Sequence, residues 1–133
     1  MNSFEEIRQT IFMTFKTLHD ASYSTVPVNW PNFLSVDTEA LNGSFVSVQL
    51  VFKSQTEMYD ITAGSDIVRG ELLVSYLRPS GKGFTGSSAY SDMLRNNFCY
   101  QTKSGIHYQG LTILEVSPAP GIVGQMNVIP FLI

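Results

Sequence analysis

The chain has 133 residues, with eight Lys or Arg, eleven Asp or Glu and a formal net charge of −3; 44% of its residues are hydrophobic and only 14% are charged. That composition excludes a disordered tail, which lacks the apolar surface to offset chain entropy. The length suits a single domain, residues 1–133, that buries about two-thirds of its unfolded surface without a metal or disulfide staple. The basic residues are scattered singly, which excludes the clustered cationic footprint of a phosphate-backbone reader.

Phe4, Ile7, Ile11, Phe15 and Leu18 recur at spacings of three and four, predicting a helix over residues 4–19. Ser3 followed by Glu6 supplies a capping box at its start. The first 18 residues interleave Glu5, Glu6, Arg8 and Lys16 with apolar side chains, which is the pattern of neither a signal peptide nor a membrane span. His19 and Asp20 lead out of the helix, and Pro27 and Pro31 then forbid helix and confine any strand to an edge, giving a short extended segment that ends near Trp30. The expected role of Trp30 is a partly buried anchor.

Residues 35–43 read as a loop, and 44–52 alternate as a strand whose all-apolar set, Val46, Val48, Leu50 and Phe52, faces the core. Residues 53–65 read as a long hairpin connection that extends the strands at its ends and serves as a contact arm through Met58 and Tyr59. Residues 66–77 form a second long strand, in which Gly70 marks a bulge and Arg69 and Glu71 a solvated face. Turn-formers from Pro79 to Gly86 end it, and Ser87 or Ser88 caps a second helix with Tyr90, Met93, Leu94 and Phe98 on one stripe.

A Lys103-Ser104-Gly105 turn follows, then two extended runs, 111–116 and 125–133, separated by Pro118, Pro120, Gly121 and Gly124. The last charged side chain is Glu115, so residues 116–133 form an uncharged C-terminal hairpin that belongs at the centre of the sheet or between subunits. The order helix, strands, helix, strands predicts an α+β fold with two helices packed on one face of a mostly antiparallel sheet.

Chemistry is sparsely signalled. Gly81-Lys82-Gly83-Phe84-Thr85-Gly86 matches G-x-G-x-x-G between a strand and a helix, the context in which glycines cradle a pyrophosphate. The fingerprint lacks its second half, because no Asp or Glu lies about twenty residues onward to hold a ribose, and the unit sits in mid-chain after the sheet has begun. A flexible strand-to-helix loop is the simpler reading. His19 and His107 are far apart and Cys99 is the sole cysteine, so no zinc spacing and no internal disulfide arise, and the thiol suits a reducing compartment. Cys99 lies between Phe98 and Tyr100 with no adjacent cation, which favours a buried thiol over a Cys-His nucleophile with His107. No catalytic residue, cofactor site or metal site is expected.

The ordered features resemble the phage tail terminator-like family. The likeness rests on an N-terminal amphipathic helix, the Trp-containing segment Val26-Pro27-Val28-Asn29-Trp30-Pro31-Asn32, and the strand Arg69-Gly70-Glu71-Leu72-Leu73-Val74-Ser75-Tyr76-Leu77 with its Pro79-Ser80-Gly81-Lys82-Gly83 loop. It closes with the Pro118–Gly121 element and the ending Val128-Ile129-Pro130-Phe131, and it spans nearly the whole chain outside residues 53–65. The resemblance implies a non-catalytic virion protein: a homo-oligomeric, hexameric ring on the head-proximal end of the tail tube. Such a ring stops tube polymerisation and docks a neck or head-completion protein. Its partners are then its own copies, the tail tube protein and the neck protein, with DNA passing through the lumen without specific binding and no membrane involved. Synthesis in the host cytoplasm followed by assembly into the virion is the implied location. Met58, Tyr59, Arg78, Lys82 and Phe84 are the candidate subunit or partner contacts. The alternatives are another neck, tail-completion or tube subunit, and a small nucleotide-binding enzyme using residues 81–86.

Overall fold

A computed structural model describes residues 3–31, 44–57, 66–79 and 85–133. In chain order the elements are α1 (Phe4–Tyr23), β1 (Val28–Asn29), β2 (Phe45–Glu57), β3 (Asp66–Pro79), α2 (Thr85–Phe98), β4 (Thr102–Lys103), β5 (Ile106–Tyr108), β6 (Thr112–Ala119) and β7 (Ile122–Leu132). The seven strands form one mixed, mostly antiparallel sheet in the order β1-β2-β3-β7-β5-β4, with β6 also paired to β7. The fold is α+β. Only β1 on β2 is parallel, and β1 lies at the edge where its flanking prolines confine it.

Strand register sorts the side chains of the sheet into two sets, because successive residues point to opposite faces. Val46, Val48, Leu50 and Phe52 lie opposite Tyr76, Val74, Leu72 and Gly70, which lie in turn opposite Gln125, Asn127, Ile129 and Phe131. This is the set read from sequence as core-facing. Its members Val46, Val48, Leu72, Val74, Tyr76, Ile129 and Phe131 join Ile7, Ile11 and Phe15 of α1 and Tyr90, Leu94 and Phe98 of α2 in one core cluster. Each such aliphatic or aromatic side chain contributes about 1.5–3 kcal/mol by leaving water.

The N-cap reading holds: the Ser3 side chain accepts from the Glu6 amide at 3.1 Å. The helix does not end at residue 19, however, but continues to Tyr23. The buried stripe is Ile7, Ile11, Phe15 and His19, each four residues from the last, so His19 belongs to the helix's inner face. Phe4 is 49% exposed, with its ring 4.8 Å from that of Phe52. Trp30 is the expected anchor, its ring 5.4 Å from Phe12 and 5.8 Å from Phe15.

Strand β2 runs on from residue 52 to Glu57, the extension into the connection that the sequence reading allowed, β3 ends two residues later than residue 77, and the bulge lies across from the expected residue. Phe52 pairs with Gly70 and Ser54 with Arg69, so Lys53 is the extra residue and the bulge belongs to β2. Glycine is required at 70 for another reason: a Cβ there would sit 2.4 Å from the Val51 carbonyl oxygen and 2.6 Å from the Phe131 ring. Helix α2 starts at Thr85, earlier than a Ser87 or Ser88 cap allows, and Ser87 is fully buried within it.

Two tight turns shape the C-terminal half. Ser104 and Gly105 have φ of 53° and 81°, the pair of positive values that a two-residue hairpin turn demands, and they join β4 to β5. Pro120-Gly121, with Gly121 at φ 79°, joins β6 to β7. Gly124 lies inside β7, where a Cβ would be 2.0 Å from the Tyr76 carbonyl oxygen. Strand β7 is central, as the uncharged ending suggested, whereas its hairpin partner β6 lies off the main path.

Candidate functional site

The second side-chain set of the sheet comprises Ser47, Gln49 and Val51 of β2, Glu71, Leu73, Ser75 and Leu77 of β3, Met126 and Val128 of β7, and Leu114 and Val116 of β6. Gln49 is exposed, Leu73, Met126 and Val116 are half-buried, and Val51 and Leu114 are 40% and 47% exposed. A cavity of about 200 Å³ opens on this side between Gln49, Leu73, Ser75, Val116 and Met126. Its lining is aliphatic or uncharged polar, which suits a protein surface better than a charged small ligand.

Charge appears on this set at its far end. Lys53 Nζ lies 3.1 Å from Glu71 Oε1, and these two with Arg69 and Gln109 border a further cavity of about 320 Å³. The Lys53 side chain remains 59% exposed, so screening by water keeps this pair weak.

Strand β6 differs from the rest of the sheet in being open on both sides. Ile113, which shares the set of Asn127, is 45% exposed and its neighbour Leu114 is 47% exposed. Among the described residues β6 pairs with β7 alone, leaving its outer row of backbone donors and acceptors without a strand partner.

The titratable side chains that sequence reading weighed for chemistry are occupied structurally. His19 is 1% exposed, with Nε2 2.8 Å from the Val26 carbonyl oxygen and Nδ1 2.8 Å from the Tyr90 hydroxyl. A carbonyl only accepts, so Nε2 carries the proton and donates to Val26, and Tyr90 donates to Nδ1. Burial, with smaller contributions from Tyr23 and Tyr76, holds the Tyr90 phenol far above its ordinary range and keeps that donor protonated. The chain ties the end of α1, the segment entering β1 and the middle of α2 together.

Cys99 is 8% exposed and burial pushes its thiol up, against a lowering backbone hydrogen bond from Leu111 and the Arg95 charge; a buried thiol of this kind is a poor nucleophile. His107 Nδ1 lies 3.0 Å from Thr102 Oγ1, within the β4–β5 hairpin. Burial pushes the Tyr108 phenol up to about 12, partly offset by the Thr14 hydroxyl. Among the described residues no group of three or more His, Cys, Asp or Glu is placed to hold a metal, and no helix is long and apolar enough to cross a membrane.

Of the candidate contacts, Met58, Tyr59, Lys82 and Phe84 lie outside the described residues. Arg78 is 4% exposed, near the end of β3 opposite Val123, so its own chain already covers it. It shares the set of Leu72, Val74 and Tyr76, and sequence reading, which saw a cation just before a proline, had no signal for that burial. Sequence reading also passed over Val51, Ile113 and Leu114. Their apolar character is the same as that of buried strand residues, and only the pairing of neighbouring strands separates the two.

No protein-family description matches the chain, and no curated protein matches it. A solved structure is similar to it with a TM-score of 0.72, covering 99% of this chain and 96% of that chain at 14% sequence identity. A likeness at that identity shows a shared fold and leaves function to the residues themselves.

Proposed function

We propose that this chain is a virion structural protein, a tail terminator. Its copies form a ring, in the family's manner a hexamer, that caps the head-proximal end of a phage tail tube. The ring stops tube polymerisation and joins the tail to the neck. In this reading both helices cover one face of the sheet, and the other face and β6 are left for neighbouring subunits. The observation that carries it is that surface: a row of half-buried and exposed uncharged side chains, Gln49, Val51, Leu73, Leu114 and Met126, ending at the outer edge of β6, which has no strand partner among the described residues.

The resemblance carried by the Trp30 segment, the Arg69–Leu77 strand and the Pro118–Gly121 element supplies the family. The structural occupation of His19 and the buried state of Cys99 support a protein that works by assembly and not by turnover. A net charge of −3 suits a lumen that lets DNA pass without gripping it.

Negative-stain imaging of the purified protein, alone and mixed with tail tube protein, tests the reading. Annular particles, and tubes that stop elongating once the protein is added, are expected. A protein that stays monomeric at high concentration in both conditions, or one that turns over a nucleotide through residues 81–86, overturns it.

A further inference from the structure

The cavity of about 320 Å³ at the charged end of the open face has no part in the ring reading. Lys53, Arg69, Glu71 and Gln109 line it with the half-buried Pro130 and Leu132, so β2, β3, β7 and the segment after β5 all contribute to one wall. Gln109 is held there by its backbone, whose N–H donates to the Pro130 carbonyl oxygen at 2.8 Å.

The bulge arranges the charges. In an unbroken ladder Lys53 would stand directly opposite Arg69, a destabilising pair of like charges; with Lys53 as the extra residue, Ser54 takes that place. Lys53 Nζ goes instead to Glu71 Oε1, 3.1 Å away, and these two charges cancel. Arg69 is exposed and has no hydrogen-bond or ion-pair partner among the described residues, and the Gln109 side chain likewise has none. The cavity therefore carries one uncompensated positive charge and an amide with two donors to spare.

We propose that this cavity is a binding site for a carboxylate on an aliphatic stem, with the Arg69 guanidinium as its fork and the Gln109 amide as its second donor. This does not rest on the ring reading. One net positive charge matches a singly charged anion, and a doubly charged phosphate would lie against Glu71. The planar guanidinium meets a planar carboxylate with two parallel hydrogen bonds, and Pro130 and Leu132 offer the stem an apolar wall. A nucleic-acid backbone is the poorer fit, since it is held by several cations in a row and this face leaves one unpaired.

The test is an NMR titration of the isotope-labelled full chain at fixed ionic strength, reading the Gln109 side-chain amide and the Arg69 guanidinium N–H. Butyrate presents the carboxylate as a free acid, glutamate capped at both ends presents it as a residue of another chain, and dimethyl phosphate presents a singly charged phosphodiester. Saturable shifts of both groups with the two carboxylates are expected, and the tighter of the two identifies the source. Arg69→Gln should weaken binding about tenfold or more at an unchanged melting temperature, and Arg69→Lys, which keeps the charge and loses the fork, should fall between.

Gln109→Leu, at a second exposed position, should weaken binding several-fold and guards against a folding defect in the Arg69 variants. Absence of saturable shifts with both carboxylates, affinity unchanged in Arg69→Gln, or tighter binding of dimethyl phosphate overturns the site.

Discussion

Strands β6 and β7 are the two arms of one hairpin, joined by Pro120-Gly121, and in sequence they read alike: aliphatic, with Glu115 as their one charge. In the folded chain they have opposite fates. Strand β7 lies between β3 on one side and β5 and β6 on the other, and its Asn127, Ile129 and Phe131 are buried. Strand β6 has β7 as its only strand neighbour among the described residues, and Ile113 and Leu114 stay nearly half exposed. The difference teaches that apolar alternation measures what a strand is able to bury, while its rank in the sheet decides what it does bury. An apolar strand left at an edge keeps apolar side chains and unpaired backbone groups at the surface.

The sharpest way to break this comparison is to truncate one side chain on each arm. Phe131, 2% exposed and 6.2 Å ring to ring from Phe52, should cost about 3–5 kcal/mol when changed to Ala, read by urea unfolding. A loss below 1 kcal/mol would show that β7 is not the packed arm.

Next in size is the link between α1 and α2. Tyr90→Phe keeps the ring but leaves His19 Nδ1 buried without its donor, and about 1–3 kcal/mol should be lost. A neutral substitution would remove the His19–Tyr90 bond from the account of how α1 is held.

The strand that joins β7 beyond β6 offers a test through pH. Tyr108 of β5 is neutral in the folded chain up to about pH 12, while the unfolded chain releases that proton near 10.0. Between those values the folded state holds one more proton, so its stability is fully present below pH 10 and falls by about 1.4 kcal/mol per pH unit as pH rises. Unfolding measured at pH 9 and 11 should show a shallower decline in Tyr108→Phe than in the wild type. Identical slopes would mean that Tyr108 is not the buried phenol described.

The smallest effect should come from the open arm. Leu114→Ser should change the stability of the isolated chain by no more than about 0.5 kcal/mol, since the side chain is 47% exposed. A drop comparable with Phe131→Ala would place β6 in a packed environment and remove it as an assembly surface.

Much of the fold was legible because its signals are local. The four-residue stripe of α1, the Ser3 cap, the alternation of Val46, Val48, Leu50 and Phe52, and the anchoring role of Trp30 each follow from neighbours a few residues away. The misreadings have a common cause in distant partners. His19 reads as a helix exit until Tyr90 and the Val26 carbonyl are brought to its two nitrogens. Gly70 reads as a bulge, yet the extra residue is Lys53 across the ladder, and what Gly70 supplies is room for Val51 and Phe131. Arg78 reads as a surface cation until its place on β3 puts it with the buried set.

The candidate surface was the least legible part. The apolar residues 113, 114 and 51 carry no mark that separates them from 129 and 131, and the four contact candidates from the two loops lie outside the described residues.

From the amino-acid order alone came two amphipathic helices, the apolar strands between and after them, the α+β class and the lack of charge over the last eighteen residues. Helical and strand periodicities are written in spacings of two to four residues, and a local pattern is sufficient to read them. Only the tertiary structure decided that β7 is interior and β6 marginal, that β1 shields just two residues of β2, and that His19 joins α1 to α2. Those outcomes depend on which distant segments pair, and pairing across a sheet is settled by the packing of the whole chain.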